Sequence, residues 1–144
     1  MSRKPPPYIE ACFQVAGAEL DPDELTRLVG LQPTKSWKKD DPSAHLALRK
    51  QGQSVLEAFW RIEVARDSYD TDEGIQEILG LIWPQRDAIK EYLKARPSLQ
   101  AGFTCVVRIH KDRPVYKVSP DSICKLAYLG CEFGMDDIYD FRKE

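Results

Sequence analysis

No two of the four cysteines, at 12, 105, 124 and 131, form a CxxC pair, and the 144 residues hold only two histidines, His45 and His110. Zinc-ligand spacing is missing, so no metal is expected. No apolar run approaches the roughly 18 residues that a membrane span needs. The basic, proline-rich start, Met1 to Pro7, lacks the apolar stretch of a secretory signal. A cytoplasmic chain with free, mostly buried thiols is expected. There is no glycine-rich phosphate loop and no nucleophile elbow, so neither catalysis nor a cofactor is indicated. Charge has no dominant sign: Lys+Arg is 21 against 23 Asp+Glu, a net of −2. That balance argues against a protein built throughout for nucleic acid.

What is present is an ordinary globular chain, 42% hydrophobic and 31% charged. Residues 1–7 read as a lead segment and 8–144 as one domain. Ile9, Ala11, Phe13 and Val15 alternate with Glu10, Cys12 and Gln14, which predicts a half-buried strand. Asp21-Pro22-Asp23-Glu24 is a capping-box start for a short helix that Gly30 ends. Residues 32–54 are polar, with a short strand expected at His45 to Arg49 and a turn at Gln51-Gly52. Ala58, Trp60, Ile62 and Val64 oppose Phe59, Arg61 and Glu63 on a second clear strand. Asp72 is the expected cap of a long helix carrying Ile75, Ile78, Leu79 and Ile82. Pro84 should break it, leaving a second helix with Ile89, Tyr92 and Leu93.

Phe103, Cys105, Val107 and Ile109 mark the most regular strand. A turn at Lys111 to Pro114 should return it as a partner strand, Val115 to Val118. Ser119-Pro120-Asp121 then starts a helix with Ile123, Leu126, Ala127 and Leu129 apolar and Gly130 as its stop. A last strand runs from Cys131 to about Tyr139. The fold class is α+β: a two-layer domain, mainly antiparallel, with helices on one face. The order β-α-β-β-α-β suits a ferredoxin-like core, with His45–Arg49 as its second strand.

The run Leu20-Asp-Pro-Asp-Glu-Leu25, then Leu28-Val-Gly-Leu-Gln-Pro-Thr34, resembles the opening of the bacterial "domain of unknown function 4279" family. The Trp37 to Asp41 loop, Trp60 on a central strand, Ala127 to Gly130 and Asp137-Ile138-Tyr139 extend the likeness over nearly the whole chain. Where that family has lysine-x-glycine-aspartate, this chain has Lys38-Lys39-Asp40-Asp41, which speaks against a glycine-dependent phosphate cradle. The resemblance carries no established activity. It implies a small cytoplasmic accessory or immunity protein.

Two segments stand out as candidate surfaces. From Glu132 to Glu144 five acids and two bases give a net of −3, interleaved with Phe133, Met135, Tyr139 and Phe141. Phe133, Asp136, Asp137, Tyr139 and Asp140 are the expected contacts for a protein partner, since acids steer a basic partner and aromatics anchor it. A cation site at Asp136, Asp137 and Asp140 is disfavoured, because neighbours on a strand point to opposite faces. From Arg27 to Lys50 six bases and two acids give a net of +4 around Trp37. Lys35, Trp37, Lys38, Lys39 and Asp41 form an alternative site for a nucleotide or nucleic acid. His110 with Asp112 reads as a surface pair beside a turn. The leading expectation is a non-catalytic protein-binding module with no membrane contact; a nucleotide- or nucleic-acid-binding domain and an enzyme of unrecognised type are the alternatives.

Overall fold

The alternation of residues 8–16 becomes β1 (Tyr8–Gly17) in a computed structural model, which describes residues 6–39 and 57–139. Asp21 caps α1 (Pro22–Val29): its carboxylate accepts from the Asp23 and Glu24 amides, and Gly30 closes the helix in the left-handed region at φ 77°. Only half of the expected capping box forms. Glu24 turns to Arg96 at 3.0 Å, and the Asp21 amide instead donates to Tyr92 Oη at 3.2 Å. β2 (Lys35–Trp37) follows, then β3 (Ala58–Asp67) and α2 (Thr71–Ile82). As Pro84 requires, the helix tightens into a 3₁₀ turn at Trp83–Gln85 and restarts as α3 (Arg86–Lys94). The remaining elements are β4 (Gln100–Ile109), α4 (Pro120–Leu129) and β5 (Glu132–Tyr139).

The strands form one sheet in the order β2-β3-β1-β4-β5. Every pair is antiparallel except β4 with β5, which are parallel. The first four strands and α1 and α2 thus make the split β-α-β arrangement of a ferredoxin-like core. α4 is the crossover that adds β5 in parallel at the edge. One face of the sheet is covered: Ala11, Phe13, Val15, Trp60, Ile62 and Phe103 are buried with Leu25, Ile75, Ile78, Ile82, Ile89, Leu126 and Leu129 of the helices. The other parity of each strand faces away from the helices.

Four expectations need correction. The ferredoxin-like second strand is Lys35–Trp37, a stretch that reads as loop because only Trp37 is apolar. The strand expected at His45 to Arg49, the turn at Gln51-Gly52, and Asp40, Asp41, Asp140 and Phe141 lie outside the described residues. Val115 to Val118 does not return along β4; β5 fills that position. Val115 makes a single bridge to Asp70, with Val115 N donating to Tyr69 O (2.7 Å) and Thr71 N to Val115 O (3.1 Å). The cap of α2 is Asp70, not Asp72, since Asp70 Oδ1 accepts from the Asp72 amide (2.9 Å). On α4 the buried stripe is Ser122, Leu126 and Leu129, while Ile123 is 54% exposed.

Gly17 ends β1 at φ 152°, and a Cβ there would come 2.6 Å from Leu99 Cδ2 and 3.2 Å from Leu99 Cα. Gly17→Ala is expected to cost about 1–3 kcal/mol through backbone strain and overpacking. A urea midpoint lowered at unchanged slope would show it.

Candidate functional site

The two candidate surfaces occupy opposite edges of the sheet. At one edge, β5 pairs only with β4, and its outer side has no strand partner among the described residues. Register with β4 puts Glu132, Asp136 and Ile138 on the open face and Phe133, Met135, Asp137 and Tyr139 on the helix side. Asp136 and Asp137 therefore point to opposite faces, as alternation requires. No group of three or more metal-ligating side chains occurs among the described residues. Phe133, Ile138 and Tyr139 are 36%, 39% and 42% exposed, large values for such side chains. Asp136 Oδ1 accepts from the Asp137 amide at 2.9 Å, which blunts the free edge.

The segment after β4 adds to this edge. Tyr116 Oη donates to Asp137 Oδ2 at 3.1 Å, and the Arg113 guanidinium lies 5.3 Å from the Tyr139 ring centroid. Burial and the Asp137 carboxylate push the Tyr116 phenol up, so it remains a donor at neutral pH. Tyr69 and Val115, both well exposed, sit beside each other through the Val115–Tyr69 backbone bond. The sequence reading missed Tyr69, Arg113, Val115 and Tyr116, because only the strap of 110–119 back to α2 brings them to the end of β5.

At the other edge, Lys35 and Trp37 share the open face with Arg61 and Phe59, their register partners. The Trp37 indole stacks on Phe59 with centroids 4.4 Å apart and planes at 15°. Arg61 is oriented by Gln14 Oε1 and Glu63 Oε1. Lys38 leaves this group: its ammonium meets Asp23 at 2.8 Å, which holds the Asp23 carboxyl below and the Lys38 amine above their ordinary values. Lys39 is exposed, and Asp41 is outside the described residues. Phe59, Arg61 and Gln14 were missed as site residues. Their signal was an aromatic and a base on the solvent parity of a strand.

Burial pushes the Cys105 and Cys131 thiols up to about 11 and about 12, so both are protonated at neutral pH. Cys124 is exposed. With a chromogenic disulfide reagent, Cys124 is expected to react at once, half-buried Cys131 slowly because its thiol stays protonated, and buried Cys105 only after urea unfolding. Prompt reaction at Cys105 in the native protein would contradict its burial.

The fold defines a small α+β protein with an open five-stranded sheet; no helix among the described residues is long and apolar enough to cross a membrane. The chain belongs to the family described as a domain of unknown function (DUF4279), whose model matches residues 7–140. No curated protein and no solved structure matches it.

Proposed function

We propose that the chain is a non-catalytic, protein-binding module of the accessory or immunity type. Its partner supplies an extended basic segment that adds to β5. One observation carries this reading: the edge strand has no strand partner on its outer side among the described residues, and it joins Glu132, Asp136 and Asp137 to exposed Phe133, Ile138 and Tyr139. In strand addition the main chain gives affinity and alternate side chains give specificity. The acids steer a basic strand, and the aromatic side chains supply anchors. A second copy fits less well, since it brings the same three acids to the pair.

A titration of the isotopically labelled chain with an alternating Lys–Val peptide tests this. Amide shifts are expected along residues 132–139, with none from the matching Glu–Val peptide. The double variant Asp136→Asn, Asp137→Asn should weaken binding about tenfold or more. No shifts at millimolar peptide, or an equal response to the acidic peptide, would overturn the reading.

A further inference from the structure

The open face holds a second group of side chains, remote from β5. Two cross-strand rows lie next to each other there: Lys35, Arg61 and Gln14 in one, and Trp37, Phe59 and Ala16 in the next. The second row begins as an aromatic stack, Trp37 on Phe59, and the Arg61 guanidinium carbon lies 4.7 Å from the Phe59 centroid. The first row supplies donors. Gln14 Oε1 accepts from Arg61 Nε (3.2 Å) and Nη2 (2.7 Å), and Glu63 Oε1 accepts from Nη1 (3.0 Å). A guanidinium has about five N–H donors, so five minus these three leaves two uncommitted among the described residues. Lys35 is exposed and makes no ion pair among the described residues.

From this we infer that the corner binds a single nucleotide. The base stacks on the Trp37–Phe59 pair, and the phosphate sits between Lys35 Nζ and the outer N–H groups of Arg61. Every base has a π-face, so stacking tolerates any of them, and a guanidinium and an ammonium together suit one phosphate. Charge sets the size of the occupant. Arg108 is the third base on the open face of the strands, and it is paired with Glu10 at 2.7 Å, while Glu63 offsets part of Arg61. Among the described strand residues, a chain of phosphates would find no second cationic step on this face. A free nucleotide and one residue of a single strand present the same chemistry; the charge favours the free nucleotide.

Calorimetric titration of the full chain with AMP, UMP and adenosine, and with an oligouridylate, at low and moderate salt, decides it. Saturable one-to-one binding of AMP and UMP is expected, with adenosine at least about tenfold weaker. Lys35→Glu should weaken AMP by about tenfold or more. The Lys35 side chain makes no hydrogen bond or ion pair among the described residues and its strand pairing with Arg61 is through the backbone, so that variant should fold. Trp37→Ala should weaken AMP similarly, and its circular dichroism checks that the sheet persists. Absence of saturable binding at millimolar nucleotide would overturn the proposal. So would Lys35→Glu binding like the parent. An oligouridylate whose affinity falls with salt as steeply as several phosphate contacts require would also overturn it, in favour of a single-strand site.

Discussion

Trp60→Ala is expected to remove about 3–5 kcal/mol of stability, the range for truncating a buried aromatic. That is a large share of the roughly 5–15 kcal/mol that a domain of this kind has in total. Trp60 is fully buried on β3, meets Phe13 of β1 edge-to-face at 6.1 Å, and belongs to the core that the helices close. Its indole N–H is satisfied as well: Nε1 donates to Thr26 Oγ1 at 3.0 Å, and that hydroxyl donates to Pro22 O at 2.9 Å. The residue therefore ties β3 to α1 by packing and by a hydrogen bond together. Trp60→Phe keeps part of the aromatic contact while losing the N–H and one ring of the indole, so it should cost less than the alanine variant. Urea unfolding of both reads the difference. A loss below about 1 kcal/mol for Trp60→Ala would mean that the site collapses around the cavity rather than leaving it open.

Most of the covered face was legible in the sequence because it obeys local rules. Ile9, Ala11, Phe13 and Val15 repeat with the strand period, and Ile75, Ile78, Leu79 and Ile82 with the helix period, and all are buried. The starts of α1 and α4 followed from Asp21-Pro22 and Ser119-Pro120, and their ends from Gly30 and Gly130. What failed depends on partners distant in sequence. β2 is a strand because Lys35, Ser36 and Trp37 pair with Arg61, Trp60 and Phe59, and nothing in its own composition announces that. The predicted hairpin after β4 failed because Thr71 and Tyr69 take the backbone groups of Val115. β5 then completes the sheet in parallel through α4. The candidate surfaces divide in the same way. Phe133 and Tyr139 were visible as aromatics among acids. Lys35, Trp37, Lys38 and Lys39 looked like one cluster in the chain, yet Lys38 turns to α1 while Lys35 and Trp37 join Phe59 and Arg61.

The largest polar effect is expected at Asp72, which holds α2 to α4 and so fixes the crossover that delivers β5. Its Oδ1 accepts from Ser119 N at 3.0 Å and from Ser122 Oγ at 2.7 Å. Ser122 is fully buried, and its hydroxyl also accepts from Gln76 Nε2 at 2.6 Å. Asp72→Ala would leave the Ser119 amide and the Ser122 hydroxyl without their acceptor, at roughly 1–3 kcal/mol each. A loss of about 2–4 kcal/mol is expected. Asp72→Asn keeps the shape and should cost less, but it removes the titration.

Burial alone would raise the Asp72 carboxyl. The hydrogen bonds from Ser119 and Ser122, with the Lys117 charge, outweigh it and hold the group below its ordinary value. A depressed carboxyl stabilises the native state fully above the unfolded value, about 3.9 for aspartate, and that contribution disappears as pH falls through the native value. The stability difference between the parent and Asp72→Asn should therefore stay level from neutral pH to about 5 and then shrink with further acidification. A difference that widens in acid would reverse the sign and contradict the arrangement. Amide exchange separates the staple from general destabilisation. In Asp72→Ala, exchange in residues 132–139 should accelerate more than in β1, since among the described residues β5 pairs only with β4 and is reached through α4.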